Sequence, residues 1–260
     1  MFIDSHCHLD RLDLGRHDGS LANLIQAAGD AGVDEMLCVA IDLNQFTEMY
    51  RQVEPFTNVY ASAGIHPCHV GECPFDEQAL RAAASKPRIV ALGETGLDYH
   101  YSAELAEQQR ASFAGHLKLG SELGLPVIVH TRDAREDTLA IMREHADPHT
   151  GGVLHCFTES LEMAQAALEL NFYISFSGII TFKNAEELRD VVRAVPLEKM
   201  LIETDSPYLA PVPYRGKQNE PAYVPEVARC IADLKGVRIE EVAEITRDNF
   251  YRLFSKAGQA

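Results

Sequence analysis

His6 and His8 flank Cys7 in the segment DSHCHLD (residues 4–10), at the end of the first apolar run of the chain. Side chains alternate along a strand, so histidines at i and i+2 share one face and can hold one cation together. Cys7 then points to the opposite face, toward a packed helix. The same kind of residue recurs where later apolar runs end: His66, Glu94, His130, His155 and Asp205. Taken singly, each of these histidines reads more simply as a hydrogen-bonded structural residue. The set does not, because several imidazoles and carboxylates converging without partners are costly to bury, and metal ions remove that cost. His6, His8, Glu94, His130, His155 and Asp205 are too many ligands for one catalytic zinc, which takes about three from the protein and keeps an open position. They suit two divalent ions bridged by the two oxygens of Glu94. Two cations roughly 3.5–4 Å apart would share a hydroxide and clamp the attacking and leaving oxygens of a displacement.

The elements that must position these residues are legible as alternating runs. Short β-rich stretches occupy residues 1–9, 34–41, 59–66, 88–98, 125–133, 151–158, 171–179 and 199–208. Amphipathic stretches lie between them. Residues 104–123 carry Leu105, Phe113, Leu117 and Leu123 at roughly helical spacing, and residues 160–170 follow a Ser/Glu start signal. Residues 221–254 read as two closing helices. About eight strand–helix units with near-continuous apolar strands predict an α/β protein, a (β/α)8 TIM barrel. A doubly wound open sheet is the competitor, but no GxGxxG opens the first unit. The barrel keeps its chemistry at the C-terminal ends of its strands, where six strands deliver the metal-capable groups. With no linker, repeat or low-complexity tract in the sequence, residues 1–260 read as one domain.

Composition bounds the function. The formal charge is −16, from 23 basic and 39 acidic side chains. That argues against broad coating of nucleic acid, which requires many neutralised phosphates, but is compatible with one or two phosphates gripped beside bound cations. No apolar run approaches the ~20 residues needed to cross a bilayer, and the first residues lack a secretory pattern, so the expected location is cytoplasmic, with no membrane role. The six cysteines form no CxxC and read as reduced thiols; Cys68 and Cys73 share a loop but lack a second pair to complete a site. His17, His69, His100, His116, His145 and His149 are expected on loops or helix surfaces, without a role.

At these residues the chain resembles the TatD family of metal-dependent hydrolases, close to its YcfH-like bacterial branch. The similarity runs through DSHCHLD, GIHP (64–67), LGETGLDYH (92–100), PVIVHTRDA (126–134), GGVLHCFT (151–158), YISFSGI (173–179), IETDSPYLAP (202–211) and RGKQNEP (215–221), essentially the whole chain. The motifs are short; their order and spacing together are specific. The resemblance implies a (β/α)8 barrel holding two divalent metals. One is held by His6, His8, Glu94 and Asp205, the other by Glu94, His130 and His155. Glu94 stands where related amidohydrolases often use a carboxylated lysine.

The resemblance also implies a metal-dependent deoxyribonuclease, an exonuclease trimming single-stranded DNA from the 3′ side, with RNA as a further substrate. On that reading Asp205 orients the metal-bridging hydroxide and serves as general base. His66 is assigned to the scissile phosphate or leaving group. Arg132 and Arg215 are candidate phosphate contacts, Arg132 weighed equally against an ion pair with Asp133 or Glu136. Glu203 supports a ligand from behind. Tyr99, Phe157, Phe176 and Tyr208 are candidates to stack a base, although an aromatic at a strand end more often packs. The partners expected are single-stranded nucleic-acid ends, with no obligate protein partner. The cation is left open among Mg2+, Mn2+ and Zn2+, since imidazoles favour late transition metals and carboxylates favour Mg2+. Two alternatives stand: hydrolysis of another bond, such as a D-aminoacyl-tRNA ester, amide or lactone, and a non-enzymatic metal-binding protein.

Overall fold

In the computed structural model of the chain, which describes residues 1–259, the apolar runs become eight parallel strands in one sheet, paired in sequence order. The strands are β1 (Phe2–Cys7), β2 (Val33–Cys38), β3 (Val59–Ala63), β4 (Ile89–Asp98), β5 (Val127–Arg132), β6 (Gly152–Leu154), β7 (Phe172–Phe176) and β8 (Met200–Ile202). Irregular pairing joins the last strand to the first: Asp205 N–H donates to His6 O at 2.9 Å and His8 N–H to Ser206 O at 2.8 Å. The expected barrel is therefore the observed one. Its helices are α1 (Leu21–Asp30), α2 (Leu43–Val53), α3 (Glu77–Ala84), α4 (Ala106–Leu123), α5 (Arg135–His145), α6 (Leu161–Glu169), α7 (Glu186–Ala194), α8 (Val224–Lys235) and α9 (Ile239–Leu253). Ser160 caps α6 by accepting from Met163 N–H, and Gly124 ends α4 in the left-handed region at φ 62°. No helix among the described residues is long and apolar enough to cross a membrane.

Strand alternation divides the core into two layers. Cys7, Met36, Cys38, Val127, Val129 and Leu154 face outward into the apolar layer beneath the helices. Ile3, Leu37, Tyr60, Ile128, Val153 and Leu201 face inward and pack with Phe250, Leu253 and Phe254 at the end of α9. The Tyr60 hydroxyl donates to Ala257 O at 2.9 Å, so the C-terminal segment plugs the lower end of the barrel. That plug is stability machinery and leaves the opposite end for the site. All six cysteines are free thiols.

Two of the register shifts along the sheet correct the simple strand picture. The β1–β2 register shifts between Asp4 and Cys7, and the β4–β5 register shifts between Leu92 and Thr95. The first resets the alternation just before His6. The second lets β4 run on, pairing Thr95–Asp98 with Val129–Arg132. Glu94 therefore lies within β4 rather than at its end. Likewise β3 stops at Ala63, so His66 sits in the following loop.

Candidate metal centre

The interior faces of the strands lead directly to the polar residues. Two positions beyond inward-facing Ile128 is His130; two beyond Val153 is His155; two and four beyond Leu201 are Glu203 and Asp205. Glu94 lies at the focus. Its Oε2 is 3.5 Å from His6 Nε2 and 3.9 Å from His8 Nε2, while its Oε1 is 2.7 Å from His155 Nε2 and 3.1 Å from His130 Nδ1. One carboxylate thus turns one oxygen to each histidine group. Asp205 Oδ1 completes the first group, at 3.5 Å from His8 Nε2 and 3.8 Å from His6 Nε2.

Small residues permit this approach. Gly96, at φ 136°, follows Glu94 by two positions, and a Cβ there would lie 2.0 Å from His130 O. A Cβ at Gly93 would lie 2.7 Å from Ile128 O. Only glycine lets β4 and β5 close around the carboxylate. Asp205 itself adopts φ 57°, a left-handed conformation that costs most residues energy but that Asp tolerates. Buried Asp4 holds the neighbouring chain by accepting from Thr204 N–H at 2.9 Å and from the Thr204 hydroxyl.

The electrostatics suit groups able to hold cations. Burial would raise the Glu94 carboxyl, but His155, His66 and His130 hold it well below the usual carboxylate range. Burial would likewise raise Asp205, and the His8 hydrogen bond with the His6 charge brings it below its ordinary value. Burial would lower His155, yet Glu94 and Glu203 raise it well above 6.5. His6 is lowered, first by burial and then by His155, whose ring stacks on it at 3.9 Å between centroids. Both His6 ring nitrogens and Glu203 Oε2 are buried without a hydrogen-bond partner. Such orphaned groups cost about 1–3 kcal/mol each, and a cation at His6 Nε2 removes one of them.

Donor spacing gives a second test of fit. Atoms around a tetrahedral cation at ~2.1 Å are ~3.4 Å apart. The His6, His8, Glu94 and Asp205 donors span 3.5–3.9 Å, slightly wider. That side of Glu94 fits a cation; on the other side His155 Nε2 and His130 Nδ1 stand 2.7 and 3.1 Å from Oε1, a tighter cluster that a cation would have to open.

His66 stands closer to the ligands than a substrate role alone requires. Its Nε2 is 3.5 Å from Glu94 Oε1, and it clusters with Glu94 and His130. Burial pushes its imidazole down to about 3, so it is neutral. Glu203 lies behind the ligands, its Oε1 3.3 Å from His155 Nδ1 and accepting from Cys156 N–H at 2.8 Å. The two arginines are exposed and stacked. Arg132 lies over the Tyr101 ring at 4.7 Å, and Arg215 over Phe182 at 3.6 Å. The ion pair weighed for Arg132 is not formed with Asp133, which pairs with His100 at 3.0 Å. Among the stacking candidates, Phe157 and Phe176 are buried and the Tyr99 hydroxyl is spent on Asp137 at 2.6 Å; Tyr208 alone is exposed.

Two residues escaped the sequence reading. Asp98 Oδ2 is 3.0 Å from His130 Nε2, while its Oδ1 accepts from the N–H groups of His100 and Tyr101. A signal existed: Glu94, Gly96 and Asp98 share a strand face, and a carboxylate behind a histidine ligand is common at metal sites. The other is His116, expected on a surface. It is fully buried on α4, where its apolar flanks Phe113 and Leu117 draw the helix face inward. His116 Nδ1–H donates to Ser112 O at 2.8 Å, and Nε2 accepts from Ile65 N–H at 3.2 Å, one residue before His66.

Residues 3–255 match the family model described as TatD related DNase. The chain is 53% identical to the uncharacterized metal-dependent hydrolase YcfH of Escherichia coli K12, over 97% of this chain and 95% of that one. It is 33% identical to a protein of Klebsiella pneumoniae named 3′-5′ ssDNA/RNA exonuclease TatD, over 89% and 90% of the two chains. The crystal structure of YjjV, a TatD homolog from Escherichia coli K12, superposes with a TM-score of 0.88 at 30% identity, covering 98% of both chains. With motif order, barrel and ligand geometry in agreement, the chain belongs to the TatD family of metal-dependent hydrolases.

Proposed function

We propose that the protein is a two-cation nuclease that removes nucleotides from single-stranded ends of DNA, and of RNA, in the 3′-to-5′ direction. The observation that carries this reading is the division of Glu94, with Oε2 toward His6 and His8 and Oε1 toward His130 and His155. A divided carboxylate suits two cations, and two cations suit in-line displacement at a phosphodiester. The preference for nucleic-acid ends follows the named activity of the Klebsiella pneumoniae relative.

When bound, divalent cations would supply Lewis acidity toward water and toward the oxygens of the scissile group. His6, His8, Glu94 and Asp205 would hold one, and Glu94, His130 and His155 the other, with His66 close enough to join either the ligands or the phosphate. Asp205 is the general base. Its carboxylate is ionised by its imidazole neighbours and its side chain is 14% exposed, so it meets water where the other carboxylates do not. Glu203 and Asp98 keep the His155 and His130 rings in place through their second nitrogens. Arg132 and Arg215 lie outside the cluster and act on the substrate backbone.

A labelled single-stranded oligonucleotide, incubated with pure protein and Mg2+, Mn2+ or Zn2+, tests the proposal. Stepwise loss from the 3′ end is expected. Intact phosphodiesters with every cation would overturn it and favour hydrolysis of another bond.

A further inference from the structure

The chain has 11 phenylalanines and 9 tyrosines. Only two of these twenty rings are exposed, Tyr101 at 65% and Tyr208 at 52%. Both belong to loops at the C-terminal rim of the barrel, on the site side. Tyr101 has its ring face covered by the Arg132 guanidinium at 4.7 Å. Among the described residues, Tyr208 has no guanidinium or ammonium over its ring and lies beside His8, at 6.4 Å between centroids and 67° between planes. It is thus the exposed aromatic that stands beside a proposed metal ligand and carries no stacked cation.

The root of Tyr208 is rigid. Its N–H donates to Asp205 O at 3.0 Å, closing a turn directly after the general base. Its carbonyl accepts from Asn219 Nδ2 at 2.6 Å, and the same amide donates to Thr204 O at 2.8 Å. Asn219 is completely buried. A buried amide therefore fixes the turn on both sides of Asp205 and holds an apolar ring out in water. Exposing an aromatic on a fixed support forgoes burial, and a planar ligand recovers it.

We propose that Tyr208 is the stacking platform for the terminal nucleobase of the substrate. This rests on the nuclease reading above and sharpens it. A phosphate at the cations beside His8 brings the attached nucleoside within reach of the ring. Stacking is blind to base identity, because every base has a π face. It does require a base free of its own strand neighbours and pairing partner, so the platform selects unpaired ends over blunt duplex and tolerates any sequence.

The test compares kcat/KM for a single-stranded oligonucleotide carrying a normal 3′ base or an abasic 3′ residue. The enzymes are the unaltered chain, Tyr208→Ala and Tyr208→Phe, with bound metal measured in each. Loss of one stacked base is expected to cost about 5- to 150-fold. Tyr208→Ala should lose that factor on the normal substrate, the unaltered enzyme should lose it on the abasic one, and combining the two should add little. Tyr208→Phe should retain activity. Tyr208→Ala cleaving normally, or remaining as sensitive to the missing base as the unaltered enzyme, overturns the assignment. Loss of bound metal in Tyr208→Ala also overturns it, since the ring would then be positioning His8. Failure of the unaltered enzyme to cleave any oligonucleotide removes the nuclease reading itself, and the platform with it.

Discussion

His116 should make the protein acid-labile in a defined window. Burial drags its imidazole from 6.5 down to about 4, against a modest upward pull from Ser112 O. Its Nε2 accepts from Ile65 N–H, so protonation would set one N–H against another. Below pH 6.5 the unfolded chain takes up the proton and the folded chain resists it until about 4. The unfolded state then binds more protons, and stability rises with pH across that window. The contribution is fully present above 6.5 and lost as pH falls to about 4; this gap of about 2.5 pH units is worth about 3 kcal/mol. The assay is urea denaturation of the chelator-treated protein at several pH values, beside His116→Gln. The variant should be weaker by about 1–3 kcal/mol near neutrality, from the disturbed hydrogen bonds. Its deficit should shrink on acidification, because it lacks the group that titrates. A deficit independent of pH, or an NMR titration of His116 near 6.5, would refute the reasoning.

Other perturbations separate the roles of the carboxylates. Asp205→Asn should lower turnover by at least ~10²-fold while leaving the circular dichroism spectrum unchanged, and activity like that of the unaltered chain would exclude the general-base role. Glu203→Gln and Asp98→Asn should each weaken metal binding about 10- to 100-fold in a chelator competition, because His155 and His130 lose their charged supports. Unchanged affinity would return both to structural roles. Raising salt should weaken oligonucleotide binding only shallowly, since few basic side chains are available to displace counterions; a steep slope would mean a wider basic surface than the arginines named here.

The legible part of this protein was its periodicity. Apolar runs ending in His, Glu or Asp already specify which strand ends meet at the barrel rim, and the i, i+2 spacing of His6 and His8 sends Cys7 to the outer layer. What escaped depended on partners distant in sequence. The bulges in β1 and β4 arise from register against β2 and β5, so neither the entry of His6 nor the extension of β4 to Asp98 could be read locally. His116 has Phe113 and Leu117 on its face of α4, but its burial follows from the close approach of that helix to β4. Arg132 sits beside acidic residues in sequence, yet stacks on Tyr101, which comes from the neighbouring loop.

In the proposed site Glu94 would serve two cations at once. Elemental analysis of metal bound per chain, in the unaltered protein and in Glu94→Ala, tests it most directly. Two equivalents are expected in the first and fewer than two in the second. Two full equivalents in Glu94→Ala, or a single equivalent in the unaltered protein at saturating metal, would contradict it.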